Sequence, residues 1–453
     1  MIKKIKWKDH KILGNLELDF SKSNTEIYNT IVFAGENGSG KTTILETLSE
    51  FLNLGSAEPF EYIQYVIDDA TYTITFEQKN NAHLGFHVRT NEKNGIVKKI
   101  GSNRSNNRNT IESDLEDIRH YGVVYSKARS GFNTRKITSS TTEQLDTDKY
   151  EVDENDDFTL IKQLMVDIDI QDSTDWKRIS KSKEKILFDE FERESREYRF
   201  ANAFNGFFDT VKFKGIDHAD RKEKKILFEK HGKDIDIDSL STGEKQIIFR
   251  GAYLLKNAGN MSGGVILIDE PELSMHPKWQ QKALQYYRNL FNKRGSQDVQ
   301  ILIATHSEYV LRAALQDREN TLVVVLNDVN GVIKPQKITA PISLPTVTAA
   351  ETNYLAFGIA SVDYHIELYG YLQYKNGDLS VLGCDQYIAA QTGVYDPNLH
   401  SKPSSFTNKQ GKITNYQTLP TYIRNLIDHP KPNYTYTEEE LKCSIELLRQ
   451  LCK

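Results

Sequence analysis

A glycine-rich segment near the start of the chain carries residues whose types and spacing suit phosphate binding. It reads Gly-Glu-Asn-Gly-Ser-Gly-Lys-Thr-Thr over residues 35–43. Glycines let backbone N–H groups approach a phosphate without a Cβ in the way. Lys41 can reach the β- and γ-phosphates of a nucleotide, and the Thr42 hydroxyl can ligate Mg²⁺. The spacing predicts a site for ATP and Mg²⁺ formed by Asn37, Gly38, Ser39, Gly40, Lys41, Thr42 and Thr43.

Two acidic residues and a histidine follow two further apolar runs. The run at residues 265–268 ends in Asp269 and Glu270, and the run at 299–304 leads into Thr-His-Ser with His306. Asp269 can hold the water shell of Mg²⁺, so it is a predicted metal ligand together with the threonine of the loop. Glu270 can polarise an attacking water, and His306 can contact the γ-phosphate or that water, which makes both predicted catalytic residues. Taken alone, a histidine in such a place is more often structural.

These side chains can meet only if a sheet brings their strands side by side. An apolar run at residues 30–34 precedes the glycine-rich segment, and a run with helical spacing follows it at 44–48. Continuous aliphatic runs fit strands that are buried on both faces, as in parallel α/β sheets. Because ligands gather at the carboxyl ends of such strands, we expect Asp269 and Glu270 to lie beside the phosphate-binding loop.

A fourth segment, Leu-Ser-Thr-Gly-Glu-Lys-Gln at residues 240–246, begins an amphipathic run. Read alone, it is a helix cap with an acidic first turn. Together with the other motifs, in this order along the chain, it resembles the signature sequence of the ABC-type ATPases, and residues 5–20 resemble the RecF, SMC and OLD branch. The resemblance implies that Ser241 and Gly243 bind a nucleotide held by the phosphate loop of a second chain, and Glu244 beside them is a further predicted cofactor-binding residue. It therefore implies a homodimer or higher homo-oligomer formed through ATPase heads.

One motif departs from the pattern of that family. A loop glutamine near Mg²⁺ should follow the antiparallel strands of the first half, but the best candidate segment, residues 121–129, contains none. Lys127 or Arg129 could approach a phosphate instead, although surface lysines are usually only solvated. The departure leaves slow hydrolysis open and affects nucleotide binding little.

Composition sets the outer limits of the function. The chain has 453 residues and a formal net charge of −5, so nucleic acid binding would need a local basic patch. Basic clusters at 177–183 and 221–225 could form such a patch, so DNA stays open as a partner. Its three cysteines show no metal-type spacing and predict free thiols in a reducing compartment. No apolar run of about 18 residues is present, which predicts a cytoplasmic protein without a membrane contact.

The resemblance implies an α/β fold with an ABC-type ATPase head, in which a mixed sheet has flanking helices and an antiparallel β subdomain. A helical insertion and a mainly helical C-terminal domain complete it. We predict the following boundaries: the first part of the head with the phosphate loop at 1–157, the helical insertion at 158–238, the second part of the head with signature, Walker B and switch histidine at 239–340, and the C-terminal partner-binding domain at 341–453.

The C-terminal region carries short segments, at 357–360, 363–365, 423–425 and 428–430, that look like those of antiphage-defence ATPases. The family it resembles is that of PtuA, the ATPase of the Septu system. For that family the implied partner is a separately encoded HNH nuclease, PtuB. We therefore predict an ATP-binding regulatory subunit that controls a DNA-cleaving, PtuB-like HNH nuclease held by the C-terminal region.

Aromatic residues suggest where such a partner would dock. A short stretch holds Tyr364, Tyr369, Tyr371 and Tyr374. Interface anchors are enriched in tyrosine, so we predict that this stretch contacts the partner, while a place in the core is the equally weighted alternative.

Three other functions stay open. Arg424 and His429 have the Arg-x4-His spacing of HEPN ribonucleases, although a helix end with a proline stop at residue 430 explains the same residues. A RecF- or SMC-like DNA-repair ATPase is a second alternative, against which the short insertion and the negative charge count. An OLD-type Toprim nuclease is disfavoured because the C-terminal region has no Asp-x-Asp sequence.

Overall fold

The fold was examined in a computed structural model, which describes residues 1–78, 85–101, 104–128, 150–152, 159–181, 186–219, 223–256, 261–293, 296–338, 343–407, 411, 413–430, 432 and 434–453. The described residues form two compact units, Met1–Ile338 and Thr339–Lys453. Each unit is treated by itself below. No helix in the described ranges is both long enough and apolar enough to cross a membrane.

The strands, in chain order, are β1 (Ile2–Trp7), β2 (Glu17–Asp19), β3 (Thr30–Ala34), β4 (Phe60–Ile67), β5 (Ala70–Gln78), β6 (Gly85–Asn91), β7 (Val97–Gly101), β8 (Val123–Ser126), β9 (Tyr150–Val152), β10 (Val211–Asp217), β11 (Lys225–Lys230), β12 (Lys233–Asp236), β13 (Val265–Asp269), β14 (Asn292–Lys293), β15 (Ser296–Gln297), β16 (Gln300–Ala304), β17 (Thr321–Val329), β18 (Val332–Ile338), β19 (Ser401–Thr407) and β20 (Ile413–Thr418).

The helices, in chain order, are α1 (Lys41–Leu52), α2 (Arg104–Glu112), α3 (Thr159–Ser180), α4 (Phe188–Glu194), α5 (Arg196–Phe207), α6 (Thr242–Leu255), α7 (Pro277–Leu290), α8 (Glu308–Gln316), α9 (Ala349–Phe357), α10 (Val362–Asn376), α11 (Val381–Ala389), α12 (Pro397–His400), α13 (Leu419–Asp428) and α14 (Glu438–Cys452).

A mixed sheet forms the centre of the first unit. Its strand order is β18-β17-β3-β16-β13-β8-β9, and every neighbouring pair is parallel except β17 with β18. Every residue of β3, β13 and β16 is buried, which is the reason for their unbroken aliphatic sequences. Because β3, β16 and β13 are neighbours and run in one direction, the loops that follow them meet at one edge of the sheet.

A second sheet covers the helix that follows the phosphate loop. It is antiparallel, with the strand order β2-β1-β4-β5-β6-β7. Ile44, Leu48 and Phe51 of α1 belong to the same buried core as Ile5 and Ile63 of this sheet. The predicted α/β head with a mixed sheet and an antiparallel β subdomain is therefore confirmed.

The insertion at residues 158–238, predicted to be helical, is helical only in its first part. Helices α3, α4 and α5 end at Phe207, and the chain then forms an antiparallel sheet of β10, β11 and β12. Phe213 of β10 pairs with Phe228 of β11, and both side chains are buried. In both strands, buried apolar residues alternate with exposed charged ones, a pattern that favours strands. The many charged residues make this alternation hard to recognise in the sequence. Parts of both basic clusters lie outside the described residues.

The second unit is mainly helical, with one antiparallel hairpin of β19 and β20. Tyr364 and Tyr369 are 0% and 1% exposed and belong to its core, so the prediction that they anchor a partner was wrong. They lie on the face of α10 that packs inward, and their hydroxyls bond to Glu351 and Thr421. Tyr374, at the end of the same helix, is 75% exposed.

Candidate active site

The glycine-rich loop connects β3 to α1 and has the backbone of a phosphate cradle. Gly38 and Gly40 have φ values of +82° and +87°, a region that favours glycine. At Gly35, with φ +137°, a Cβ would lie 2.3 Å from the carbonyl oxygen of Leu326. Gly40 is also the N-cap of α1 and brings no side-chain cap, so the first-turn N–H groups of this helix face the loop. The loop thus presents main-chain donors at a helix N-terminus.

Lys41 places a buried cation inside this loop. Its Nζ donates to the carbonyl oxygens of Gly35, at 2.9 Å, and Glu36, at 2.8 Å, and to Ser39 Oγ at 3.3 Å. The residue is only 4% exposed, and burial lowers the pKa of its ammonium group to about 8. Removing a charge from water is costly unless an opposite charge replaces the water. An anion bound at the loop would supply that charge.

Thr42 and Asp269 bring the loop and the end of β13 together. The Thr42 hydroxyl donates to Asp269 Oδ2 at 3.0 Å. Burial raises the pKa of Asp269, while the Thr42 hydrogen bond opposes this rise. A hydroxyl and a carboxylate at this separation are oxygen ligands of the kind that Mg²⁺ prefers. The predicted metal pair is therefore assembled within one chain.

Glu270 and His306 face each other at the ends of β13 and β16. His306 Nε2 lies 3.7 Å from Glu270 Oε1, and both side chains are about one-third exposed. Glu270 has φ +45°, an arrangement that costs a residue other than glycine roughly 1–3 kcal/mol. Its N–H donates to the carbonyl oxygen of Ala304 at 2.9 Å, which extends the pairing of the two strands. Burial, and next the charge of Lys41, lower the pKa of His306, so the imidazole is neutral at neutral pH.

Arg250, on α6, holds the main chain around these acids. Its Nη1 donates to the carbonyl oxygens of Asp269, at 3.0 Å, and Glu270, at 3.2 Å. Its Nη2 donates to the carbonyl oxygen of Lys127 at 3.0 Å. The guanidinium thus ties the end of β13 to the end of β8 and helps to hold the strained backbone of Glu270.

Glu272, in the turn after β13, reaches the loop that carries His306. Its Oε1 accepts hydrogen bonds from Thr305 Oγ1 at 2.7 Å, from His306 N at 2.8 Å and from Ser307 N at 3.1 Å. Burial raises the pKa of this carboxyl, while the hydrogen bond from Thr305 opposes the rise.

The signature segment forms the N-terminus of α6. Ser241 is its N-cap and makes a capping box with Glu244, in which Ser241 Oγ accepts from the main-chain N–H of Glu244 and Glu244 Oε2 accepts from the main-chain N–H of Ser241. The hydroxyl of Ser241 also donates to Glu244 Oε2 at 2.8 Å. Although burial opposes it, hydrogen bonds from Lys230 and Ser241 lower the pKa of Glu244. Ser241 is exposed, whereas Gly243 is buried, and a Cβ there would lie 3.0 Å from the carbonyl oxygen of Ser274. The signature serine therefore lies at the surface of the chain.

The segment without the expected glutamine, residues 121–129, contains β8. Ser126 is buried, and Lys127 Nζ lies 5.8 Å from the centroid of the Tyr125 ring. The main-chain oxygen of Lys127 is the atom that contacts Arg250. Arg129, the other cation considered for this loop, lies outside the described residues.

A nucleotide with Mg²⁺ fits these residues. The loop offers main-chain donors and a buried ammonium group whose described contacts are neutral oxygens. Thr42 directly follows Lys41 in the chain, and its hydroxyl is bonded to Asp269. The site thus combines an anion cradle with a place for a hard cation.

Comparison with known families decides the class of this site. Residues 31–312 match the family described as "AAA domain, putative AbiEii toxin, Type IV TA system". This match covers well over half of the 453-residue chain. The chain belongs to this AAA family. Its membership confirms the ATPase class that the motifs predicted.

Two curated relatives extend the comparison of this AAA-family chain. It is 31% identical over 146 residues to "Retron Vc95 probable ATPase" of Vibrio cholerae serotype O1 biovar El Tor, a match that covers 30% of this chain and 25% of that protein. It is 24% identical over 319 residues to "Septu protein PtuA" of Bacillus thuringiensis, which covers 67% of this chain and 70% of that protein. The chain thus spans a quarter of the first relative and 70% of the second. The predicted resemblance to PtuA is confirmed.

Solved structures similar to this AAA-family chain include SMC heads. One is the SMC head domain from Thermotoga maritima, with 15% identity, a TM-score of 0.36 and coverage of 75% of this chain and 99% of that one. Another is an SMC head bound to the C-winged helix domain of ScpA, with 16% identity, a TM-score of 0.39 and coverage of 74% and 98%.

Sequence reasoning about this AAA-family site missed two residues. Arg250 stands in an apolar helix, and a lone arginine among buried residues is the signal that could have identified it. Glu272 is the third carboxylate after the apolar run, and its spacing alone does not assign it a role different from those of Asp269 and Glu270. The roles given to the sequence-predicted residues remain predictions, although the structure brings Lys41 and the residues of the two strand ends together.

The Arg-x4-His pair of the second unit has local partners of its own. Arg424 pairs with Asp428 at 2.6 Å and donates to Asn425 Oδ1 at 3.1 Å. His429 follows α13 as its C-cap and stacks on Phe406, with 5.4 Å between ring centroids. These contacts fit the helix-end interpretation of the motif.

Proposed function

We propose that this chain is the ATP-binding subunit of an antiviral defence complex, in which pairing of two ATPase heads around ATP and Mg²⁺ controls an HNH nuclease that cleaves DNA. One observation carries the proposal: a complete phosphate loop and acid pair lie within one chain, while the signature serine is exposed at the N-terminus of α6. The similarity to a Septu protein and to a retron ATPase supports the defence role.

Each residue has a distinct task in this proposal. Lys41 and the loop N–H groups hold the β- and γ-phosphates, and Thr42 and Asp269 hold Mg²⁺. When bound, the nucleotide would supply the phosphoryl group, and Mg²⁺ would neutralise negative charge on its phosphates. Glu270 accepts hydrogen bonds from the attacking water, and the neutral imidazole of His306, beside it, orients that water or the γ-phosphate. Ser241 and Gly243 of a second chain close the site.

Pairing of the heads can be tested by mixing two inactive variants. In a heterodimer of Lys41→Ala and Ser241→Arg chains, both lesions fall in one composite site and the other site is intact. We expect the mixture to recover ATPase activity that neither variant shows alone. ATP hydrolysis by differently tagged, co-purified chains measures this.

A matched mixture serves as the control. Lys41 and Asp269 belong to the same half of a composite site, because Thr42, the residue after Lys41, is hydrogen-bonded to Asp269 within one chain. A heterodimer of Lys41→Ala and Asp269→Ala chains therefore has two damaged sites and should recover nothing. Recovery in this control, or none in the first mixture although heterodimers form, would contradict head pairing.

Partner docking is proposed for the exposed apolar side chains at the end of α10. Tyr374 and Leu379 are each 75% exposed, and the carbonyl oxygen of Leu379 accepts a hydrogen bond from Gln373, which keeps the two side chains in one region. We expect the double variant Tyr374→Glu, Leu379→Glu to lose the co-expressed HNH nuclease in pull-down assays. Two buried charges in such an interface cost several kcal/mol, which is more than about a 100-fold loss of affinity.

An exposed apolar residue on the hairpin of the same unit provides the control for docking. Ile413 is 63% exposed, so Ile413→Glu makes a similar change at another surface position. We expect this variant to retain the nuclease. If the nuclease co-purifies with both variants at the wild-type ratio, docking at the end of α10 is wrong.

A further inference from the structure

Glu272 is a half-buried residue outside the assigned set of phosphate, metal and catalytic residues. It is three positions after Asp269, in the turn that follows β13. Its Oε2 is buried and, within the described part of the chain, has no hydrogen-bond partner. A carboxylate in such a place is costly, so its contacts through Oε1 must be strong enough to keep it there.

Those contacts all go to one short segment, residues 305–307. Oε1 accepts from the hydroxyl of Thr305 and from the main-chain N–H groups of His306 and Ser307, at 2.7, 2.8 and 3.1 Å. One oxygen atom thus fixes the backbone on both sides of the His306 side chain.

Ser307 is held independently. Its hydroxyl donates to Gln280 Oε1 at 2.5 Å and accepts from the first-turn N–H groups of α8. The amide of His306 itself, however, donates to Glu272. The two acids, two positions apart, therefore have separate tasks: Glu270 faces the imidazole of His306 at 3.7 Å, and Glu272 holds the main chain of the same residue.

We propose that Glu272 is a positioning residue that sets His306 against Glu270, and that it affects ATP hydrolysis only through His306. The inference rests on the proposed roles of Glu270 and His306. Glu272 itself does not contact the nucleotide, because its bonded oxygen points into the 305–307 segment. The position of His306 then depends on the length of the Glu272 side chain and on an acceptor oxygen at its end, and not on the negative charge.

Three substitutions separate reach from charge. Glu272→Ala removes the acceptor, and Glu272→Asp keeps the charge but shortens the side chain by one methylene. Glu272→Gln keeps the length and one acceptor oxygen. In nucleotide-free protein, we expect amide hydrogen exchange at His306 to rise about tenfold or more in the alanine and aspartate variants, and to change less than about threefold in the glutamine variant.

Turnover should follow the same order. We expect kcat for ATP to fall about tenfold in Glu272→Ala and Glu272→Asp, with KM and the ATP dissociation constant within about twofold of wild type. In a His306→Ala background, adding Glu272→Ala should change kcat less than about twofold, because the residue through which it acts is already absent. Glu319→Gln, at an exposed acid, is the matched control with wild-type behaviour.

The outcomes discriminate between this inference and the proposed function. A wild-type exchange rate and kcat in Glu272→Asp, an impaired Glu272→Gln, or additive effects of Glu272→Ala and His306→Ala would each overturn the positioning role. If Glu272→Ala fails to fold, the aspartate and glutamine variants still decide the matter. Wild-type kcat in Glu272→Ala with an impaired Glu270→Gln refutes the inference alone, whereas wild-type kcat in Glu270→Gln refutes the proposed catalytic assignment.

Discussion

Replacing Lys41 with alanine is expected to weaken ATP binding at least about 100-fold, which is roughly 2.7 kcal/mol. The ammonium group is buried and bonded to neutral oxygens of its own loop, so it is the charge in the cradle that a phosphate can neutralise. Its removal should not harm folding, because the buried charge lacks an ion pair within the described residues and is itself costly. Calorimetric titration with ATP measures the change.

Lys8→Ala provides the control for this experiment, since Lys8 is exposed and lies outside the loop. It should bind ATP as wild type does. Wild-type affinity in Lys41→Ala would refute the assignment of the phosphate loop.

The same lysine predicts a pH dependence of ATP binding. Because burial lowers the pKa of Lys41 to about 8, the free protein loses this charge as the pH rises through that value. A bound phosphate favours the charged form and so raises the pKa of the complex. Affinity should therefore be constant below about pH 8 and fall above it, by up to tenfold per pH unit. In Lys41→Ala this dependence should disappear.

Replacing Glu270 with glutamine is expected to leave ATP binding intact and to lower turnover at least about tenfold, or roughly 1.4 kcal/mol of barrier. The side chain keeps its shape and the main chain keeps its bonds to Ala304 and Arg250, so the site should stay assembled. What is lost is a carboxylate beside His306 that can polarise water. Steady-state ATP hydrolysis, together with calorimetry for binding, separates these two effects.

Glu319→Gln is the control, as an exposed acid of the same unit. A wild-type rate in Glu270→Gln would place the base elsewhere. A wild-type protein that turns over slowly would instead draw attention to residues 121–129, where the expected glutamine is missing.

The nucleotide site could be predicted from sequence because each of its motifs is local. Gly40, Lys41 and Thr42 occur together in one turn, and Asp269 and Glu270 end one strand. Their meeting point followed from a general property of parallel sheets, since the strands that carry them need only be near neighbours.

Arg250 and Glu272 could not be predicted in this way. The contacts of Glu272 depend on β13 lying beside β16, and those of Arg250 depend on α6 packing where three carbonyl groups of two strands converge. Nothing in the spacing of either residue states which strands are neighbours. The arginine in an apolar run marks Arg250 as unusual, but its partners and those of Glu272 follow only from the sheet order.

Errors elsewhere had a similar origin. In β10 and β11, the apolar residues that alternate along each strand are separated by lysines and glutamates. The high content of these helix-favouring residues predicted helices, whereas the alternation indicates strands. Tyrosine suits both interfaces and cores, so the sequence left both places open for Tyr364 and Tyr369, and it does not show which face of α10 packs inward.

The capping box at Ser241 has a consequence for when two heads can engage. A serine hydroxyl has a single proton, and here that proton is directed to Glu244 while the oxygen accepts from the N–H of the same residue. In the head pairing proposed above, donation to a phosphate held by the other chain would require the hydroxyl proton to leave Glu244 Oε2, while the two main-chain bonds of the capping box can stay. In the proposed head pair, a chain without a facing nucleotide keeps this bond, and only a ligand with a terminal phosphate would offer the hydroxyl a new acceptor. Pairing would then require an exchange of acceptors inside each of the two chains as well as contact between them.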